Sequence, residues 1–244
     1  MKNLCVIPSR YKSTRFEGKP LVDICGHPMV WWVYQEAKKI KEFDDVIVAT
    51  EDFRVKDTCD DMGINCIITS DNHPTGTDRV CEVAEKIEAD YYYVLMGDEP
   101  LLTTKEIQTM VDALKEDPAP AAILATKFHN PVDVVNSSTI KLSLNNEDDL
   151  IYMSRSPIPY PKGKIGWDYI KNVGLYVFSK ECLEQFKHLE MGRAEQIEEL
   201  EMLRILENHI RCKAVRVETD AMSVDTYKDL LRIREIMAKR DKQY

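Results

Sequence analysis

The chain has 244 residues and a formal net charge of −9, long enough to bury a substantial core and too acidic for a general nucleic-acid binder with a broad basic face. Its apolar runs stop well short of the roughly 18 continuous residues of a membrane span, and its polar start, Met1-Lys2-Asn3, does not read as a signal peptide. The 7 cysteines include no C-x-x-C pair, and several lie inside apolar runs. They read as core thiols of a reducing compartment, so a soluble cytoplasmic protein is expected.

In chain order, short apolar runs at 4–7, 46–50, 66–69, 91–96 and 121–125 alternate with amphipathic stretches near 28–41, 53–61, 78–88 and 104–115. Strands separated by helices of this length predict right-handed βαβ units around a mostly parallel sheet. Thr103 and Glu106 have the spacing of a capping box, which starts a helix just after GDEPLL. Trp31 and Trp32 fall on an apolar helix face and read as core. Beyond 126 the pattern changes: 139–144, 150–154 and 173–179 read as strands, the first two with no full helix between them. A smaller β-rich lobe is therefore expected. A helix over 194–208, a strand over 212–217 and a last helix from 226 complete the chain. Without a linker, repeat or low-complexity tract, the pattern predicts one α/β domain with a cleft between its halves.

The loop after the first strand collects Arg10, Lys12, Arg15 and Lys19, with Glu17 as its one acid. Ligands of such sheets bind outside the carboxyl ends of the strands, so this position points to an anion site rather than a solvated basic patch. The loop is neither G-x-G-x-x-G nor a Walker loop, because Gly18 is its one glycine. Phosphate would be held by the guanidinium forks of Arg10 and Arg15, the ammonium of Lys19 and the hydroxyls of Ser9, Ser13 and Thr14.

IPSRYKSTRFEGKPL with the following DICGHPM resembles the opening of the CMP-Kdo synthetases (3-deoxy-manno-octulosonate cytidylyltransferases), close to IPARxxSTRxPGKPLxxIxGxPM. The likeness continues through VIVATED at 46–52, TSDNHPTGTDR at 69–79, GDEPL at 97–101, SRSPIPYP at 154–161, VGLY at 173–176, LEMLRILE at 200–207 and VDTYKDL at 224–230. It implies a Rossmann-like nucleotide-diphospho-sugar transferase fold, with a nucleotide-binding half over 1–126 and an acceptor-binding, dimerising half over 127–244. It also implies the activity: the anomeric hydroxyl of an acidic sugar attacks the α-phosphate of CTP and pyrophosphate leaves. A homodimer serving lipopolysaccharide or capsule synthesis, with no nucleic-acid or membrane partner, is the expectation.

By that resemblance, Pro8, Ser9, Arg10, Ser13, Arg15 and Lys19 would hold the triphosphate, Arg10 and Lys19 neutralising charge on the leaving group. Thr75, Gly76, Thr77 and Arg79 would meet the cytosine, although Thr77 or Asp78 is equally suited to cap the helix that follows. Gly97 would let phosphate or metal approach the backbone. Asp98 and Asp225 would share Mg²⁺, a hard ion content with few protein oxygens. Asp225 is left for that task because Thr226 and Asp229 suffice for the helix cap. His73 lies in the base-binding loop, and the other histidines lack metal-ligand spacing.

On the acceptor side, Arg155 matches the arginine that grips the sugar's carboxylate, and Tyr176, Glu201 and Arg204 keep the pattern. Two positions depart from it: Asn172 stands where the family usually has histidine, and Met202 where it has glutamine. Neither replacement makes the hydrogen bonds of the original. Two acceptor readings follow: Kdo itself with tolerated drift, or another acid such as a modified ulosonate, a phosphonate or a phosphorylated acid.

Overall fold

The computed structural model describes residues 1–12, 16–163 and 168–240. In chain order it builds β1 (Asn3–Pro8), the short pair β2 (Asp23–Ile24) and β3 (His27–Pro28), α1 (Met29–Lys38), β4 (Asp45–Thr50), α2 (Phe53–Asp61), β5 (Cys66–Ile68), α3 (Gly76–Lys86), β6 (Tyr91–Leu95) and α4 (Thr104–Glu116). The second part holds β7 (Ala121–Lys127), β8 (Lys141–Leu144), β9 (Leu150–Ser154), β10 (Ile170–Ser179), α5 (Lys180–Phe186), α6 (Arg193–Glu198), α7 (Met202–Glu207) and β11 (Cys212–Arg216), before α8 (Tyr227–Arg240). Two compact units result, residues 1–108 with 221–244 and residues 109–220. Among the described residues no helix is long and apolar enough to cross a membrane, and all 7 cysteines are free thiols.

In the first unit, four parallel strands run in the order β6, β1, β4, β5. All six residues of β1 are buried, as expected of a strand covered on both faces and flanked on both edges. The chain winds outward from β1 through β4 to β5, then returns to lay β6 on the other side of β1. The reversal makes the gap between β1 and β6 the topological switch point, where ligands of such sheets bind.

Helix α8 joins this unit because Leu230, Ile233 and Met237, at helical spacing, pack with Ile24, Met29, Leu101 and Val224. Burying each such side chain stabilises by about 1.5–3 kcal/mol, so the docking fixes the preceding loop, Asp225 included. The predicted caps form. Thr103 N donates to Glu106 Oε2 at 3.1 Å, and Thr226 N and Oγ1 both donate to Asp229 Oδ2 at 2.8 Å. The tryptophans correct the sequence reading. Trp31 stacks on His27 at 3.8 Å and is only half-buried; Trp32 is half-buried too, packing against the core cluster while its Nε1 donates to Ile24 O at 2.8 Å.

In the second unit β11 lies parallel to β7, and β7, β10, β8 and β9 follow antiparallel, the β-rich part expected beyond 126. A register shift between Val173 and Tyr176 marks a bulge in β10. The helix predicted over 194–208 is two short helices. Glu199 takes a left-handed conformation, φ 52°, and ends α6, a break unannounced by any Gly or Pro. What the break achieves is a buried pair: Arg204 Nε and Nη2 donate to Glu195 at 2.7 and 2.6 Å. In a continuous helix, residues nine apart lie about 13.5 Å along the axis on opposite faces.

Candidate active site

At the switch point Gly97 stands two residues beyond the end of β6, and the space a side chain would need there is already filled. A Cβ on Gly97 would stand 2.6 Å from Ser9 Oγ and 2.9 Å from Pro8 O. Glycine at 97 thus serves close packing of the β1 and β6 ends, beyond any access it gives a ligand. Gly97→Ala should push the two ends apart and lower activity by about tenfold or more, a 1 Å misplacement being costly in a site; kinetics of a variant with retained secondary structure checks this.

Packing also presents Asp98. Lys19 Nζ donates to Asp98 Oδ2 at 2.6 Å and to Val224 O at 2.9 Å, while Val224 N donates to Asp98 O at 2.9 Å. Lys19 and Asp98 keep 16% and 21% exposure, which leaves them reachable from solvent. Residue 224 therefore ties the opening loop to the end of β6, with Asp225 next along the chain. Ser223 Oγ lies 3.4 Å from Asp225 Oδ2. The capping duty falls on Asp229. Three of the four predicted catalytic residues, Lys19, Asp98 and Asp225, are gathered here, while Arg10 is exposed in the loop above. Asp98, beside Lys19, and Asp225, next in the chain after Val224, offer oxygens of the kind taken by an ion with few protein ligands. Among the described residues there is no group of three or more His, Cys, Asp or Glu side chains arranged to hold a metal.

The opening loop is shaped by Gly18 and Tyr11. Gly18 adopts φ 70°, a left-handed geometry natural to glycine, and its N–H closes onto Tyr11 O at 2.9 Å. That closure aims the turn carrying Lys19. Ser13 and Arg15 lie outside the described residues. Pro8 and Ser9 are buried, Ser9 N donating to Ala49 O at 2.9 Å, so the strand's hydrogen bonding extends into the loop.

A residue not assigned a role from the sequence organises this region. Glu51 Oε1 accepts from the main-chain N–H of Tyr11 at 3.0 Å and of Lys12 at 3.3 Å, and Oε2 pairs with Arg79 Nη2 at 3.1 Å. Arg79 is 1% exposed and also donates to Thr69 Oγ1. Burial pushes its guanidinium below the usual range, and Glu51 works against that shift. Arg79 is thus neither a solvated arginine nor a free fork; it links the TGTDR segment to the opening loop. The cap of α3 is corrected as well. Thr75, not Thr77 or Asp78, is the N-cap, accepting from Asp78 N at 3.1 Å, and Gly76, Thr77 and Asp78 form the first turn. His73 in the same loop is held by Glu82. Burial alone would raise the Glu82 carboxyl, but hydrogen bonds from Lys86, His73 and Ser70 N–H outweigh it and hold it down at about 2.

In the second unit, Arg155 donates from Nε to Glu198 O at 2.7 Å, from Nη1 to Ser137 O at 3.1 Å and from Nη2 to Glu199 O at 3.4 Å. Asn172 Nδ2 donates to Tyr176 Oη at 2.6 Å. Four residues of strand span about 13 Å, and the bulge between them together with the length of the tyrosine lets the two side chains meet. Asn172 Oδ1 is buried and has no hydrogen-bond partner among the described residues. Met202 is 3% exposed and Glu201 half-buried. Arg204, buried against Glu195 and stacked 4.2 Å over Phe186, is a packing residue of the α6–α7 corner.

Comparison with known proteins places the chain in a family. The family model described as cytidylyltransferase matches residues 4–217. The chain is 38% identical over 239 residues to 3-deoxy-manno-octulosonate cytidylyltransferase of Escherichia coli, covering 98% of this chain and 97% of that protein. It is 39% identical over 232 residues to the protein of the same name from Fusobacterium nucleatum, covering 94% of each. A solved structure of CMP:2-keto-3-deoxy-manno-octonic acid synthetase in complex with CTP superposes with a TM-score of 0.94 at 37% identity, over 98% of this chain and 100% of that one.

Proposed function

This chain belongs to the cytidylyltransferase family, a nucleotidyltransferase enzyme, and we propose that it transfers CMP from CTP to 3-deoxy-manno-octulosonate (Kdo) with release of pyrophosphate. The observation that carries the reading is the junction of Lys19, Asp98 and the segment ending in Asp225 at the sheet's switch point. In this reading Arg10, Ser13, Arg15 and Lys19 bind the triphosphate, and Lys19 and Arg10 offset charge that builds on the departing pyrophosphate. The α3 N-terminus, capped by Thr75, meets the base through Gly76 and Thr77, with Arg79 holding the segment in place rather than reading the base. Arg155 grips the acceptor's carboxylate, while Asn172, Tyr176, Glu201 and Met202 border the sugar.

Asp98 and Asp225 offer oxygen ligands of the kind Mg²⁺ takes and would hold it. When bound, the ion would neutralise the α-phosphate and ease deprotonation of the attacking hydroxyl. The chain's own residues bind, orient and compensate charge.

A second reading keeps CTP and changes the acid. It draws on Asn172, whose buried Oδ1 has no hydrogen-bond partner among the described residues, and on Met202, which offers no hydrogen bond where a hydroxyl-rich sugar would dock. One assay separates them: pyrophosphate release from each NTP with Mg²⁺ and with Kdo, other ulosonates, phosphonates or phosphorylated acids. Turnover confined to CTP and Kdo is expected, lost on chelation. Turnover only with another acid would establish the second reading, and another preferred NTP would overturn both. A homodimer is part of the proposal, supported by apolar surface at Ile151 and Ile197, 58% and 81% exposed in the second unit; the mass of the assayed protein by sedimentation checks it.

A further inference from the structure

We propose that Glu198 is a positioning residue for Arg155, holding its guanidinium as a preset fork for an anionic group of the acceptor. The inference rests on the reading of Arg155 as the acceptor's carboxylate grip.

Glu198 holds the SRSPIPYP segment at three points. Its Oε1 accepts from Ser154 Oγ at 2.5 Å, its Oε2 from Arg155 N at 2.9 Å, and its main-chain oxygen from Arg155 Nε at 2.7 Å. The left-handed turn at Glu199 directs the next carbonyl to Arg155 Nη2 at 3.4 Å, and Ser137 O takes Nη1 at 3.1 Å. Lys141, fully buried, fixes the same loop from behind, donating to Asn136 O at 3.0 Å, to Thr139 O at 2.8 Å and to Arg155 O.

Two features of this socket point to a ligand. First, the Glu198 carboxylate lies beside Arg155 yet is spent on the Ser154 hydroxyl and the Arg155 main-chain N–H; among the described residues the guanidinium hydrogen-bonds only to neutral carbonyls. The guanidinium is therefore oriented without a direct ion pair, unlike that of Arg204, which is paired with Glu195. Second, a guanidinium has five N–H donors, of which three are taken by the described residues. One on Nη1 and one on Nη2 remain, the pair needed for a two-pronged bond to a carboxylate. A side chain held in advance loses less freedom when the ligand arrives.

The test is steady-state kinetics with CTP and Kdo varied separately, on Glu198→Ala, Glu198→Gln, Arg155→Ala and Glu198→Ala/Arg155→Ala. Glu198→Ala is expected to raise the acceptor KM by about tenfold, the scale of coupling within one hydrogen-bonded network, with the CTP KM unchanged. Glu198→Gln, which retains one accepting oxygen and the shape of the side chain, should show a smaller rise and keeps the test open if the alanine variant fails to fold. In the Arg155→Ala background, Glu198→Ala should add nothing further. Equal rises in both KM values, no rise in either, or a full additional effect in the double variant would overturn the proposal. If Arg155→Ala itself leaves the acceptor KM unchanged, the acceptor role of Arg155 falls instead. A rise for Arg155→Ala with none for either Glu198 variant removes the positioning role alone.

Discussion

Asp98→Asn is expected to lower turnover of CTP and Kdo by on the order of a thousandfold while leaving the fold intact. The substitution keeps the size of the side chain. It also keeps the main-chain bond from Val224 N to Asp98 O, 2.9 Å, that joins the end of β6 to the segment before α8. What it removes is charge: one of the two carboxylates proposed for the metal, and the partner of Lys19 at 2.6 Å. Both members of that pair are partly exposed, so its loss should cost stability no more than about 1 kcal/mol. A large fall in kcat with little change in melting temperature thus identifies a chemical role. Near-normal turnover would remove Asp98 from the site, and a melting temperature that falls with activity would make it structural. Lys19→Met, measured alongside, should weaken CTP binding, because Lys19 would face the triphosphate while Asp98 would not.

The parts of this architecture that were legible in the sequence are those governed by neighbours in the chain. Apolar runs and amphipathic stretches placed β1, β4, β6, β7 and the helices between them. The Thr103–Glu106 and Thr226–Asp229 caps could be read because both partners lie within one turn. What escaped depends on partners far apart. Glu51 pairs with Arg79 at a distance of 28 positions and with the main chain of Tyr11 and Lys12 at about 40, and no periodicity encodes that. The break at Glu199 escaped for a related reason. Its local residues favour helix, and the buried Glu195–Arg204 pair that accompanies the break exists only in the folded unit. Trp31 departs from the core expected of an apolar helix face because His27 covers it by stacking. The candidate site shows the same division. Lys19 and Asp98 are 79 positions apart, and each could be singled out only through the motif around it. Glu198, which carries no motif signal of its own, is visible only in the folded structure.

Removing one member of the Glu195–Arg204 pair should be the most destabilising single polar change in the second unit. Glu195 and Arg204 have side-chain exposures of 2% and 7% and share two hydrogen bonds of 2.7 and 2.6 Å. Glu195→Ala would strand a buried guanidinium, with a cost of about 3–5 kcal/mol, a large part of the 5–15 kcal/mol typical of a domain. Replacing both with methionine leaves no unpaired charge and fills most of the volume, so Glu195→Met/Arg204→Met should fall far short of the single variant's loss. It forfeits chiefly the contact of Arg204 with Phe186, worth up to about 2 kcal/mol when desolvated. Denaturant unfolding of the two single variants and the double variant decides the matter; additive losses would mean the pair is not coupled. The pair closes the corner between α6 and α7, from which Glu198 and Glu199 present the carbonyls that hold Arg155. Glu195→Ala that still folds should therefore raise the acceptor KM more than the CTP KM, while the double methionine variant should recover much of that difference. Recovery of stability without recovery of the acceptor KM would show that the corner's geometry depends on the ion pair itself, and not merely on a filled core.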